Sequence, residues 1–546
     1  MKKQISILLL LTLFVLSACQ KQDLRESEIL QQRNALESAT PNLLLSSIIQ
    51  QTAFAYQAEG GASSQQLAAA VQYMQGNRSS DNNIFKAFTL PSTDLYNFTT
   101  PLKLAEASIA QVQASGLKSY EGIFRIFKSF LWATVTDLYG DIYYTQGLQG
   151  QSGILFPQFD NQKDIYPALI LDLQNAATLI AEGTETIDKT YDILYGGNKV
   201  QWIKFANSLQ LRLLMKASKN LPNAATQIAT VAAMPLMSAV ADNAAVAYLP
   251  GDPTYTWPMG TSHELYSGNF MIYRPSKTLV DTLKALVDPR LQVWVAPIEK
   301  PWTNASGQNG TTVTTFDPLG FSYTSTWEYI NRSDSKIAHA ASSIVDTLTL
   351  YAGYTAGMYE DVLSANGSYD FPTTIFNYKI SKFTQLLNQD SHPLLKASMM
   401  QADEVQFLLA EAAVKGYISA ANAPAYYTTG VQLALGRWGQ SVPSGYFNNA
   451  RAQFPTSGTN AQKLEKIAVQ KWLGLFMIGV EAYSDYRRTR LPFIELNGEL
   501  ANGTHKFPLR FRYPQTEMND NAQQYQAAIA KLDLGDTEFS HMWLLQ

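Results

Sequence analysis

Apolar residues recur every three or four positions over most of this chain, the spacing of helices with one buried face. The first such stretch, residues 43–58, follows Pro41-Asn42, a helix-start signal. Residues 65–75, 101–114 and 119–139 come next, the last two separated by Gly116. In 119–139, Tyr120, Phe124, Phe127, Leu131, Val135 and Leu138 fall on one face. Residues 164–182 carry Ile165, Leu169, Leu173, Ala176 and Ile180, and residues 200–217 carry Trp202, Phe205, Leu209 and Leu213. A shorter helix is expected over 224–233. Helical spacing returns after His392-Pro393, over 402–415, 424–438, 462–478 and 480–488. The pattern predicts a mainly α fold.

Between about 248 and 395 the pattern lapses. Gly, Pro, Ser, Thr and aromatic residues crowd this stretch. One helix is expected there, over 276–286 before Asp288-Pro289-Arg290, and short strands over segments such as 311–316. Long irregular segments in compact domains are commonly functional, and the aromatic content argues against disorder. From Asn497 the chain reads as a surface meander. The glycine-punctuated helix pairs resemble tetratricopeptide-type repeats, although no strict period recurs. The expected organisation is a signal peptide at 1–18, a lipidated tether at 19–38, a helical scaffold at 39–247, a loop-rich ligand-binding insert at 248–395, and the second part of the scaffold with the meander at 396–546.

The N-terminus gives an address. Lys2-Lys3 precedes an apolar run over 5–16 and then Leu16-Ser17-Ala18-Cys19, a secretory signal ending in a lipobox. Cys19 is the sole cysteine and the expected lipidation site. The run is shorter than the roughly 20 apolar residues that cross a bilayer. The mature chain is therefore expected to be anchored to a membrane by lipid.

Composition narrows the chemistry. One cysteine excludes a disulfide framework, and its place in the lipobox excludes a thiol catalyst and a Cys-ligated zinc site. A net charge of −4 gives no footprint for nucleic acid. The 29 Tyr and 9 Trp offer flat apolar faces with a polar edge, which suits ligand surfaces. No His-Glu-x-x-His motif, nucleophile elbow or phosphate loop occurs. Gly353-Tyr354-Thr355-Ala356-Gly357 has the elbow's spacing without its strand-turn-helix setting. His263, His339, His392, His505 and His541 are scattered. Asp317, Glu328, Glu360 and Asp361 could supply a carboxylate pair of the kind glycosidases need, or hydrogen-bond sugar hydroxyls, or face water.

Several short motifs converge in order: Thr136-Asp137-Leu138-Tyr139-Gly140-Asp141, then Trp202-Ile203-Lys204-Phe205-Ala206-Asn207-Ser208-Leu209 with Leu211-Arg212, then Asp288-Pro289-Arg290-Leu291. Ala410-Glu411-Ala412-Ala413, Gln470-Lys471-Trp472, Arg487-Arg488 and Arg512-Tyr513-Pro514 follow. Together they resemble the SusD/RagB family of nutrient-binding outer-membrane lipoproteins of Bacteroidetes. The resemblance implies a right-handed scaffold of tetratricopeptide-like helix pairs with a loop-rich insert carrying the ligand site. It implies a non-catalytic protein that captures an oligosaccharide or peptide and passes it to a SusC-like TonB-dependent transporter. A surface hydrolase on a helical scaffold, or a structural or adhesion lipoprotein, are the alternatives. No cofactor is implied, and whether calcium orders the loops is open.

The motif residues themselves read as structural. Trp202 and Phe205 lie one turn apart and are expected in the core. Asp137 and Asp141 flank a helix end, and Glu481 and Asp485 stand on the same helix as Arg487 and Arg488 for pairing. The ligand is expected in the insert, on some of Tyr255, Trp257, Tyr266, Trp302, Tyr323, Trp327, Tyr329, Tyr354 and Tyr359. For each of these, a role in a small core beneath a loop is the competing reading.

Overall fold

The computed structural model describes residues 39–60, 65–76, 95–252, 255–260, 273–329, 349–354, 378–492, 494 and 506–546. Cys19, the tether, Tyr266 and Tyr359 lie outside these residues, as do His263, His339, His505, Glu360 and Asp361.

Helices dominate, and most stand where the apolar period placed them. They are α1 (Pro41–Gly60), α2 (Gln65–Ala70), α3 (Leu95–Ala114), α4 (Lys118–Tyr139), α5 (Gln162–Glu182), α6 (Lys199–Lys216) and α7 (Ala224–Ala232). In the middle stretch are α8 (Lys277–Leu286) and α9 (Arg290–Trp294); beyond it come α10 (Ala402–Val414), α11 (Ala423–Gly436), α12 (Asn460–Gly474) and α13 (Gly479–Thr489). Consecutive helices pack against each other: α3 on α4, α4 on α5, α5 on α6, and α10 on α11 and α12.

Local chemistry sets several boundaries. Asn198 caps α6 by accepting from the backbone N–H of Val200 and Gln201 at 3.1 and 3.4 Å. Thr459 and Gln462 form a reciprocal capping box at the start of α12. Gly122 lets α4 and α5 approach closely, since a Cβ there would stand 2.5 Å from the Ala176 carbonyl oxygen.

Two expectations fail. The helix expected over 65–75 ends at Ala70, because residues 74–76 (β1, Met74–Gly76) pair antiparallel with β3 (Tyr273–Pro275). The expected surface meander instead buries Phe507, Leu509, Phe511 and Tyr513, and then forms α14 (Gln515–Asp520) and α15 (Ala522–Ile529). Phe507, Leu509, Phe511 and Tyr513 recur at every second position and are all buried, a pattern hidden by reading the segment as loop.

The two ends of the helical scaffold meet across the middle stretch. β2 (Ala244–Ala247) pairs antiparallel with β8 (Lys396–Met400). The middle stretch shares the main core: Trp257, Tyr273, Leu279, Trp294, Phe383 and Leu386 join the same buried cluster as Trp202 and Phe205.

The motif residues converge on a buried ionic network. Lys216 Nζ lies 2.7 Å from both Asp137 and Glu481, and Asp137 also accepts from the Tyr166 hydroxyl. Arg212 binds Glu404 with two nitrogens at 2.6 and 2.7 Å. Lys471 and Arg488 share Asp485, at 2.9 and 2.7 Å, and Arg488 continues to Glu411. Burial alone would raise the Glu481 pKa, but Lys216 and Arg212 bring it below its ordinary value.

Two pairings expected within one helix turn out differently. Glu481 serves Lys216 rather than an arginine of its own helix. Arg487 donates to the backbone carbonyls of Leu509 and Asp137, both at 2.6 Å. Asp137, read as satisfying backbone at a helix end, neutralises Lys216, whereas Asp141 does bind the Gln162 N–H at 2.8 Å.

Candidate ligand-binding surface

The middle stretch builds a small β-module beside the helical body. β5 (Thr312–Phe316) and β6 (Ser322–Thr326) form an antiparallel hairpin, and β4 (Trp302–Thr303) pairs parallel with β7 (Glu328–Tyr329). Asp317 shapes the hairpin turn: its Oδ1 accepts from Leu319 N at 2.9 Å and Phe321 N at 3.0 Å, and Gly320 takes φ +88°. Its Oδ2 accepts from the Tyr323 hydroxyl at 2.9 Å, and that hydroxyl accepts from Gln385 N at 3.0 Å. Tyr323 thus ties the hairpin to the turn at Gln385–Asn388. Burial, and then Asp317, raise its pKa.

Trp302 stands at the centre of a cluster of aromatic rings and lysines. The β4–β7 register sets it opposite Glu328 and sets Thr303 opposite Tyr329, so Trp302 shares a face with Glu328 while Tyr329 turns to the other. Lys379 Nζ lies over the Trp302 ring, 3.3 Å from its centre, and pairs with Glu328. Lys300 reaches the same carboxylate at 3.2 Å, and its Nζ lies 5.5 Å from the Tyr378 ring centre. Burial lowers the Lys379 pKa, with Glu328 opposing. Trp302 is half-buried, and Tyr329 is 41% exposed. Phe316 adds exposed apolar surface on the hairpin.

The other candidates sit differently. Trp327 lies in the same module but is 7% exposed, its peptide hydrogen-bonded to Thr311 and Gly310. Tyr255 is half-buried, its ring 5.8 Å from Phe54. Trp257 is a core residue: it is 2% exposed, donates from Nε1 to the Leu387 carbonyl at 2.9 Å, and meets Tyr248 edge-on. Tyr354 is buried and bridges to Ser276. The module therefore gathers Trp302, Tyr323, Trp327 and Tyr329, while Tyr255 and Trp257 pack against α1 and the 385–390 turn.

Sequence reading passed over Tyr378, Lys379 and Lys300. The adjacent Tyr378-Lys379 and the Lys300-Pro301-Trp302 run were the available signals. Of the four candidate carboxylates, Asp317 and Glu328 are described, and both are engaged, Asp317 in its turn and Glu328 with two lysines. Among the described residues no group of three or more His, Cys, Asp or Glu side chains converges to hold a metal ion.

A family model, SusD-like, described as starch-binding and associating with the outer membrane, matches residues 33–514. The chain belongs to this SusD-like family. Solved structures share its fold. A SusD homolog from Bacteroides fragilis is 21% identical, with a TM-score of 0.71 over 93% of this chain and 100% of its own. A SusD homolog from Bacteroides uniformis is 20% identical, with a TM-score of 0.69 over 92% and 99%. A chitin-binding SusD homolog from Flavobacterium johnsoniae is 19% identical, with a TM-score of 0.70 over 92% and 98%. No curated protein matches the chain in sequence. As a SusD-like protein the chain belongs among glycan-binding proteins associated with the outer membrane. Among the described residues no helix of this SusD-like protein is long and apolar enough to cross a membrane.

Proposed function

We propose that this SusD-like protein is a non-catalytic capture protein, held to the outer surface of the outer membrane by lipid on Cys19. It takes up an oligosaccharide and hands it to a SusC-like TonB-dependent transporter. The observation that carries the reading is family membership joined to the half-buried Trp302, with Lys379 over its ring and Lys300 meeting Tyr378 and the shared Glu328. An aromatic face receives the apolar face of a sugar ring, and the flanking lysines and Glu328 meet its hydroxyls. Tyr329, 41% exposed, offers a second aromatic ring on the opposite face of the β4–β7 pair. The hairpin and the Asp317–Tyr323 contact hold the module to the body, so little ordering cost falls on binding. Asp317 and Glu328, the described candidates for a carboxylate pair, are both committed to other contacts.

The test is calorimetry of the purified protein against starch- and chitin-derived oligosaccharides and a peptide digest, with product analysis after long incubation. Saturable oligosaccharide binding with the sugar recovered intact supports the reading. Shortened sugars, or binding confined to peptides, would overturn it.

A further inference from the structure

A cavity lies where the helical body meets the β2–β8 pair, and it shares no lining residue with the β-module. It has a volume of about 170 Å³, with Trp257, Leu394, Phe476 and Ile478 among its walls. Arg437 and Trp438 supply its polar end. No acidic side chain is among those lining it. The exposed Lys396 adds a second positive charge, and Asn243 is occupied in accepting from Ala402 N at 2.8 Å.

Both groups at the polar end have spare donors. Trp438 is 3% exposed, and among the described residues nothing accepts from its Nε1–H. Its ring is fixed edge-on against Trp294, centroids 5.3 Å apart, so the N–H cannot swing away at no cost. Arg437 lies over the Trp438 ring, 5.1 Å from its centre, and spends one nitrogen on the Gly474 carbonyl at 2.9 Å. Its Nε is buried without an acceptor among the described residues. Asp403 acts on it only through space. Burial pushes the guanidinium down to about 10, the mark of a charge the protein does not fully compensate. Leaving such donors unmet costs free energy that a bound acceptor recovers.

We propose that this cavity binds a small carboxylate with a ring-sized apolar body. An apolar cavity of about 150 Å³ is large enough to take benzene, so the space fits one ring. The carboxylate would accept from Arg437 and from the Trp438 N–H, while the ring packs between Trp257, Leu394 and Phe476. This site is separate from the surface around Trp302, and its ligand need not be part of the captured sugar.

Benzoate is the probe. Benzyl alcohol, the same ring without charge, and glucuronate, charged with a polar body, are the controls. Titration of the full chain should raise its melting temperature with benzoate and shift its tryptophan fluorescence saturably, with both controls at least tenfold weaker. Arg437→Gln should weaken benzoate at least tenfold. Trp438→Phe should weaken it severalfold while lowering the unliganded melting temperature only modestly, because a smaller ring still fills the site and no existing hydrogen bond is lost. Oligosaccharide affinity should be unaltered in both variants. Equal response to benzyl alcohol, preference for glucuronate, no response to benzoate, or wild-type benzoate affinity in Trp438→Phe would each overturn the proposal, even if Arg437→Gln failed to fold.

Discussion

Lys379 holds its ammonium 3.3 Å from the centre of the Trp302 ring, covering one face of the indole. The lysine is itself fixed by Glu328, so the ring is held in one orientation. Trp302→Ala should lower oligosaccharide affinity about five- to tenfold, the loss of roughly 1 kcal/mol of aromatic contact. Its thermal stability should change little, since the ring is half-buried. Calorimetry with the best oligosaccharide checks this, and unaltered affinity would remove Trp302 from the binding surface.

Trp257 should behave in the opposite way. Its ring is enclosed and its N–H is spent on Leu387. Trp257→Ala should cost about 3–5 kcal/mol of stability, the range for emptying a buried aromatic site. Urea denaturation distinguishes the two tryptophans: a marginal loss for Trp257→Ala would contradict its place in the core.

Lys216 is the only cation within 3.0 Å of the Asp137 carboxylate among the described residues, and it also meets Glu481. Lys216→Met should destabilise the fold by about 3–5 kcal/mol, because two carboxylates then stay buried with their charge poorly met. Adding Asp137→Asn should restore part of the loss. A single variant as stable as the wild type, measured in urea, would show that the network is not needed.

Asp403 sets a dependence on pH. Its carboxyl is buried, and that burial raises its pKa to about 6, with Arg437 opposing. The folded value lies above the ordinary 3.8, so the native state holds its proton more tightly than the unfolded chain. The site's favourable contribution is complete below about pH 4, falls as pH rises to about 6, and is gone above that. Asp403→Asn should match the wild type near pH 4 and exceed it by on the order of 2 kcal/mol above pH 6. Denaturation curves at about pH 4, 5, 6 and 7.5 test it; a constant difference across that range would contradict the assignment.

Glycine spacing also carries weight where helices touch. Gly430 faces the Phe407 ring, where a Cβ would stand 2.7 Å away. The close packing of α11 on α10 depends on that approach.

Much of this protein was legible in its sequence because helices are written in a local period. The faces of α4, α5 and α6 follow from apolar residues three and four apart, and the family from short motifs in order. The sequence could also say that Trp202 and Phe205 are core. Tertiary structure alone decided which tryptophans of the insert meet solvent. Trp257 and Trp302 both sit beside proline in a glycine-rich stretch, yet one is enclosed by Tyr248 and the 385–390 turn and the other is only half covered. It alone decided that Lys216 meets Asp137 and Glu481, partners 79 and 265 residues away. Burial and ion pairing over such separations depend on how whole helices are placed, and no local pattern encodes that placement.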